Sequence, residues 1–183
     1  MKCQECNKAM RRERRDYRYS ECGLGNVTLK NIVVYACDCG ATAPEIPNLS
    51  ALHRNIMMDL LKKESLLCAE EIKFLRKMAR LKSKELASLM GFSTVHLSRL
   101  EHGARKISAS GDRVIRLICY GGLLERLVNA EGDLKTSIAE AAKLAPGLNI
   151  RTLFENIEGT DNGPEPVVID PADLGEQQYE MVH

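Results

Sequence analysis

Two close cysteine pairs, Cys3-x2-Cys6 and Cys37-x-Cys39, stand thirty residues apart near the start of the chain. Between them, "NVTLKNIVVYA" (26–36) is rich in β-branched residues and puts Val27, Leu29, Val33 and Tyr35 on alternate positions. That pattern predicts a strand. The stretch "RRERRDYRYS" (11–20) is expected to pair with it across the turn signal "CGLGN" (22–26). A hairpin this small cannot bury enough apolar surface to fold alone, so it needs a staple. Four thiolates at its base supply one. A tetrahedral thiolate site suits zinc, which requires no redox chemistry, accepts four sulfurs and contributes folding energy. The expected ligands of a structural Zn2+ are Cys3, Cys6, Cys37 and Cys39.

Other uses of these cysteines fit the chain less well. Two close pairs within residues 3–39 argue against ordinary free thiols. A disulfide framework belongs to exported chains. The opening "MKCQECNKAMRRERR" has no apolar run of a secretory signal, which sets a cytoplasmic expectation. A redox Cys-x2-Cys sits at a helix N-terminus in a βαβ setting, and that setting is missing here. The second pair departs from the usual Cys-x2-Cys-Gly knuckle, which would put its first ligand at Ala36. Cys22, in the turn, therefore stands as an alternative to Cys37 or Cys39. Cys68 and Cys119 read as buried structural thiols.

Pro44 and Pro47 close this segment, and Ser50 is the expected N-cap of a helix carrying Leu52, Ile56, Leu60 and Leu61 at helical spacing. Several short amphipathic helices follow. "CAEEIKFLRKMARL" puts Ile72, Leu75, Met78 and Ala79 on one face, with Cys68 at the N-cap and Glu71 in the capping-box position. Short helices with tight joints predict a compact all-α domain. The net charge of +1 hides a division: residues 1–128 carry 23 Lys and Arg against 14 Asp and Glu, while residues 129–183 carry 3 against 11. A basic body with an acidic tail suits a polyanion-binding part followed by something else. Two weak helices are expected in 133–145 and 150–157, and the proline-punctuated remainder is expected to be largely disordered. No apolar run approaches the roughly 18 residues of a membrane span.

The window Ser83–Leu100 reads as two helices crossing over a tight turn. Ala87 is small enough for close approach, and Gly91 can take the left-handed conformation that stops the first helix. Phe92 packs in the turn, Leu97 and Leu100 anchor the second helix, and Ser93 caps it. Thr94, Val95, His96, Ser98 and Arg99 are left facing outward. That mixture suits base edges, phosphates and a thymine methyl. The plainer alternative is an αα-hairpin with a polar face. Agreement of all these positions within a basic segment favours DNA binding.

"LKSKELASLMGFSTVHLSRLEHG" is similar to the lambda-repressor-like (Xre/Cro type) helix-turn-helix family, whose Ser-Arg-x-Glu-x-Gly run stands here as Ser98, Arg99, Glu101 and Gly103. The resemblance covers residues 68–120. It implies that Thr94, Val95, His96 and Arg99 face the major groove, Arg99 as a bidentate guanine contact. Lys82 and Ser83 replace the family's Thr-Gln, and either can still reach phosphate. The order of parts over residues 1–125 resembles the MqsA-type antitoxin family. That resemblance implies an N-terminal zinc domain that neutralises a small ribonuclease toxin, and a C-terminal domain that dimerises and represses its own operon. The Cys-x-Cys pair and the long C-terminal extension depart from the pattern.

The expected fold is therefore mainly α with a small β zinc-finger. Residues 1–44 form a zinc-stapled β-hairpin domain, 45–67 a linker helix, 68–128 a five-helix lambda-repressor-like domain, and 129–183 an acidic, partly disordered extension. The expected function is a dimeric transcriptional repressor of operator double-stranded DNA, acting as an autoregulatory antitoxin. Val114, Ile115, Ile118, Leu123 and Leu124 are expected to supply apolar dimer interface. The competing expectation is a free-standing regulator whose cysteine domain senses metal or thiol oxidation. An enzyme is not expected, because no histidine pairs with a nucleophile and no phosphate loop appears. The Arg11–Arg18 cluster reads as a solvated face, with nucleic acid or an acidic partner as the alternative.

Overall fold

The computed structural model describes residues 1–131 and 166–169, with side chains described as far as residue 125 in the first stretch. A small sheet comes first: β1 (Arg11–Arg18), β2 (Val27–Ala36) and β3 (Thr42–Pro44). Five helices follow: α1 (Leu49–Lys62), α2 (Ala69–Met78), α3 (Ser83–Leu89), α4 (Thr94–Glu101) and α5 (Ala109–Glu131). The domain expected to hold five helices over 68–128 holds four, α2 to α5. The weak helices expected in 133–145 and 150–157 fall outside the described residues.

β1 and β2 form the expected antiparallel hairpin, but the simple alternation breaks. Val27 and Leu29 are buried, and then Ile32 and Val34 take the inward positions instead of Val33 and Tyr35. A bulge causes the change. The register shifts between Arg15 and Tyr17, so Lys30 and Asn31 together face Asp16, and Asn31 adopts φ 49°. The Asp16 carboxylate holds the bulge by accepting from the Asn31 amide at 3.0 Å and Lys30 Nζ at 2.6 Å. One extra residue moves every later side chain to the other face.

The opposite edge of β2 is shared. β3 pairs with it antiparallel over Val34–Ala36, and β4 (Val167–Ile169) pairs in parallel with Val27–Leu29. Within the stretch expected to be largely disordered, 167–169 is instead a strand, with Val167 and Ile169 buried and Val168 facing out, and the rest of that stretch lies outside the described residues. The alternation is that of a half-buried strand.

α1 packs beneath the sheet. Its cap is Asn48, not Ser50: the Asn48 Oδ1 accepts from the Ala51 amide at 2.9 Å. Asn and Ser cap about equally well, and the earlier of the two starts the helix here. Leu52, Ile56, Met57, Met58, Leu60 and Leu61 are all buried. At ~1.5–3 kcal/mol for each large apolar side chain, their burial amounts to on the order of 10 kcal/mol before entropy is subtracted. They join Val27, Leu29 and Val34 of the sheet, Ile72 and Leu75 of α2, and Ile115, Cys119 and Leu123 of α5 in one continuous core. Ile115 and Leu123 are thus interior residues of the chain, not interface as expected. Val114 and Leu117 remain exposed on α5.

Among the described residues, no helix is long and apolar enough to cross a membrane.

Candidate metal centre and exposed helical face

Each cysteine pair lies in a tight turn whose chain reverses one residue after the second cysteine. Asn7 has φ 60° and Gly40 has φ 92°. The Asn7 amide bonds to the Cys3 carbonyl and the Gly40 amide to the Cys37 carbonyl, both at 2.9 Å. These reversals turn backbone amides onto sulfur: those of Cys6 and Glu5 onto Cys3, Lys8 onto Cys6, and Ala41 onto Cys39. The two turns interleave, with Cys3 Sγ 3.6 Å from Cys39 and Cys6 Sγ 3.4 Å from Cys37. All four sulfurs lie within 4.8 Å of one another. A tetrahedral ion bound at ~2.3 Å would space its sulfurs at roughly 3.8 Å, so the cluster fits a metal with little adjustment.

The protonation pattern points the same way. The Cys6 and Glu5 amides bring the Cys3 thiol down to about 7 in spite of its partial desolvation. On Cys6 the Lys8 amide pulls downward, but hydrogen bonding with Cys37 and Cys39 and desolvation together push it up to about 12. One thiolate forms readily, and four at this spacing need a cation among them. Cys22 takes no part. It donates weakly to the Tyr19 carbonyl and faces a cleft with Gly23, Phe74 and Lys77.

The second region is α3, its turn and α4. α3 begins at Ser83, with Lys82 as N-cap and the Glu85 carboxylate accepting from the Lys82 amide at 2.7 Å. It ends in a Schellman turn. Gly91 sits at φ 66°, its amide bonds to the Ser88 carbonyl, and the Phe92 amide bonds to the Ala87 carbonyl at 2.8 Å. Ser93 then caps α4, its Oγ accepting from the His96 amide at 3.1 Å. Leu86, Ala87 and Leu97 form a small apolar cluster of their own, while Leu100 joins the main core. Ala87 is the point where the two helices approach.

Four of the five α4 residues expected outside are exposed, and the fifth, His96, is half-buried. Ser93, Thr94, Val95, Ser98 and Arg99 are exposed, and Val95 keeps 58 % of its surface. His96 and Ser83 are half-buried. Lys82, Lys84, Arg105 and Lys106 are exposed on the segments flanking α4.

Sequence reading passed over the clasp that orients this face. Glu101, nearly buried, receives Arg76 Nε at 2.5 Å and Nη2 at 3.2 Å, and Arg76 Nη1 also donates to the Leu81 carbonyl. A bidentate pair of this kind fixes α4 against α2. The glutamate of the Ser-Arg-x-Glu-x-Gly run is therefore a packing residue here, and its neighbour Arg99 is the one that points away. The available signal was an unexplained Arg on the same helix as a capping box.

Comparison with known protein families, characterised proteins and solved structures found no match for this chain.

Proposed function

We propose that the chain is a sequence-specific double-stranded DNA-binding protein, with α3 and α4 as a helix-turn-helix of the lambda-repressor type and α4 as its recognition helix. The observation that carries this reading is the division of α4. Leu97 and Leu100 are fully buried, while Thr94, Val95, Ser98 and Arg99 stand exposed together between basic flanks at Lys82, Lys84, Arg105 and Lys106. Base edges ask for short polar groups, a branched apolar group and an arginine, and phosphates ask for the flanks. Ser83 and Ser93 lie at the starts of the two helices, where backbone amides meet phosphate. Homodimers are the usual state of the motif, because two copies read half-sites one helical turn apart. Val114 and Leu117 supply exposed apolar surface on α5 for that contact.

The thiolate cluster serves this reading as a structural zinc site. Cys3, Cys6, Cys37 and Cys39 would hold the ion, and four protein ligands leave no open coordination position for chemistry. The order of parts supports a repressor that is also an antitoxin, with its N-terminal sheet engaging a small toxin protein. β1 supports this as a surface, since it is exposed on both faces.

DNA binding is tested by selection from a random duplex library at several salt concentrations. Enrichment of a two-fold symmetric site, with affinity falling steeply as salt rises, is expected. Arg99→Ala should cost about 1–3 kcal/mol at one position of each half-site. Absence of any enriched sequence refutes the reading. The antitoxin role is tested by recovery of a stoichiometric small partner from the native host. Residues 1–44 share the main core, so the control is charge reversal on β1 (Arg12→Glu with Arg14→Glu) and not deletion.

A further inference from the structure

One polar contact beside the exposed face of α4 fixes a proton. Gly103, at φ 72°, reverses the chain after α4, and the Arg105 amide bonds back to the Arg99 carbonyl at 3.2 Å. The return brings Arg105 Nη1 to 3.3 Å from His96 Nδ1. Phe92 holds the same ring edge-on, with centroids 4.6 Å apart and planes at 72°. A guanidinium has five N–H donors, no acceptor, and does not deprotonate. The contact is a hydrogen bond only when Nδ1 carries no proton. A neutral imidazole has one proton to place, and it then sits on Nε2.

We infer that Arg105 is a positioning residue that holds His96 as its Nε2–H tautomer, making His96 a donor-only reader whose target is the N7/O6 edge of guanine. This rests on the DNA-binding reading of α4 and names what one of its residues recognises. Guanine presents acceptors alone from its N7/O6 edge in the major groove. Adenine sets its N6 amino donor beside N7, cytosine presents the N4 amino donor, and thymine sets a methyl group beside O4. A ring free to change tautomer could accept from adenine or cytosine, and Arg105 removes that option. The remaining N–H donors of Arg105 are enough in number to meet phosphate as well.

Two measurements on the full chain test this. The 15N chemical shifts of the His96 ring at neutral pH should show Nε2 protonated and Nδ1 bare, and Arg105→Ala should give a mixture of tautomers. In library selection, one guanine column should lose about fivefold preference in His96→Ala. The same column should turn toward adenine in His96→Asn, whose amide offers a donor and an acceptor side by side. A wild-type ring protonated at Nδ1, or a column unchanged in His96→Ala, overturns the inference while leaving DNA binding intact. A library that enriches nothing overturns the DNA-binding reading and this inference with it.

Discussion

Arg116 is 1 % exposed, and its whole guanidinium is used. Nε donates to Asp112 Oδ2 at 2.7 Å, Nη1 faces the carbonyls of Leu60, Leu61 and Lys63 at 2.7–3.0 Å, and Nη2 donates to Ser65 at 2.8 Å. Those carbonyls include the last of α1, which have no partner within the helix and carry its negative end. Asp112 completes the arrangement by accepting the Leu67 amide at 2.7 Å through its other oxygen. Replacing Arg116 with Met keeps the volume and leaves a buried carboxylate and several carbonyls unpaired. Breaking a buried pair this way costs about 3–5 kcal/mol, a large share of the ~5–15 kcal/mol by which a domain is stable. With a urea dependence of ~2 kcal/mol per molar, the unfolding midpoint should fall by about 2 M, read from helical circular dichroism. The double variant Asp112→Leu with Arg116→Met should recover part of the loss, because no charge is then left without its partner. A fall under ~0.5 M in Arg116→Met would refute the account, since an ordinary surface pair gives about that much.

Three further outcomes are expected. The purified protein should carry one zinc per chain by elemental analysis, and Cys6→Ser or a strong chelator should melt the sheet; full folding without metal would count against the structural site. Gly91→Ala should cost about 1 kcal/mol, because the space beside it is open and the φ of 66° is the whole penalty, whereas Gly91→Asn should cost less. His53 accepts from or donates to the Tyr19 hydroxyl at 2.8 Å, and burial lowers its pKa from 6.5. A histidine whose folded pKa lies below its unfolded value contributes stability above the unfolded value and loses it as pH falls. Melting temperature should therefore drop from pH 7 toward pH 5, and His53→Gln should flatten that slope; an equal slope in both proteins would remove His53 as the cause.

The features legible in the sequence were the local ones. Each cysteine turn, the Gly91 stop and the Ser93 cap are decided by residues within a turn of one another, and the two cysteine turns meet because the β1–β2 hairpin sets Arg11 opposite Ala36. The phase of β2 was not legible, because it depends on Asp16 reaching across to Asn31 from another strand. Asn48 and Ser50 offer nearly equal caps, and local chemistry does not choose between them. Nothing local in the sequence marks Arg116 as buried, since the carbonyls it meets at the end of α1 and just beyond stand more than fifty positions away. "VVI" is too short to display a period, and its acidic, proline-punctuated surroundings carry the composition of a disordered segment.

β4 also imposes an order on synthesis. Val167 pairs with Val27, so the sheet is closed by a strand made 140 positions after the one it joins. While the nascent chain lengthens, the Val27–Leu29 edge has backbone groups without their final neighbour, and an open edge accepts foreign strands. Contacts this distant in sequence are also slow to form. The metal turns can close almost at once, but the surface beside them stays receptive until Val167–Ile169 have left the ribosome. A partner that arrives during that interval would meet a different face from the one the finished protein presents.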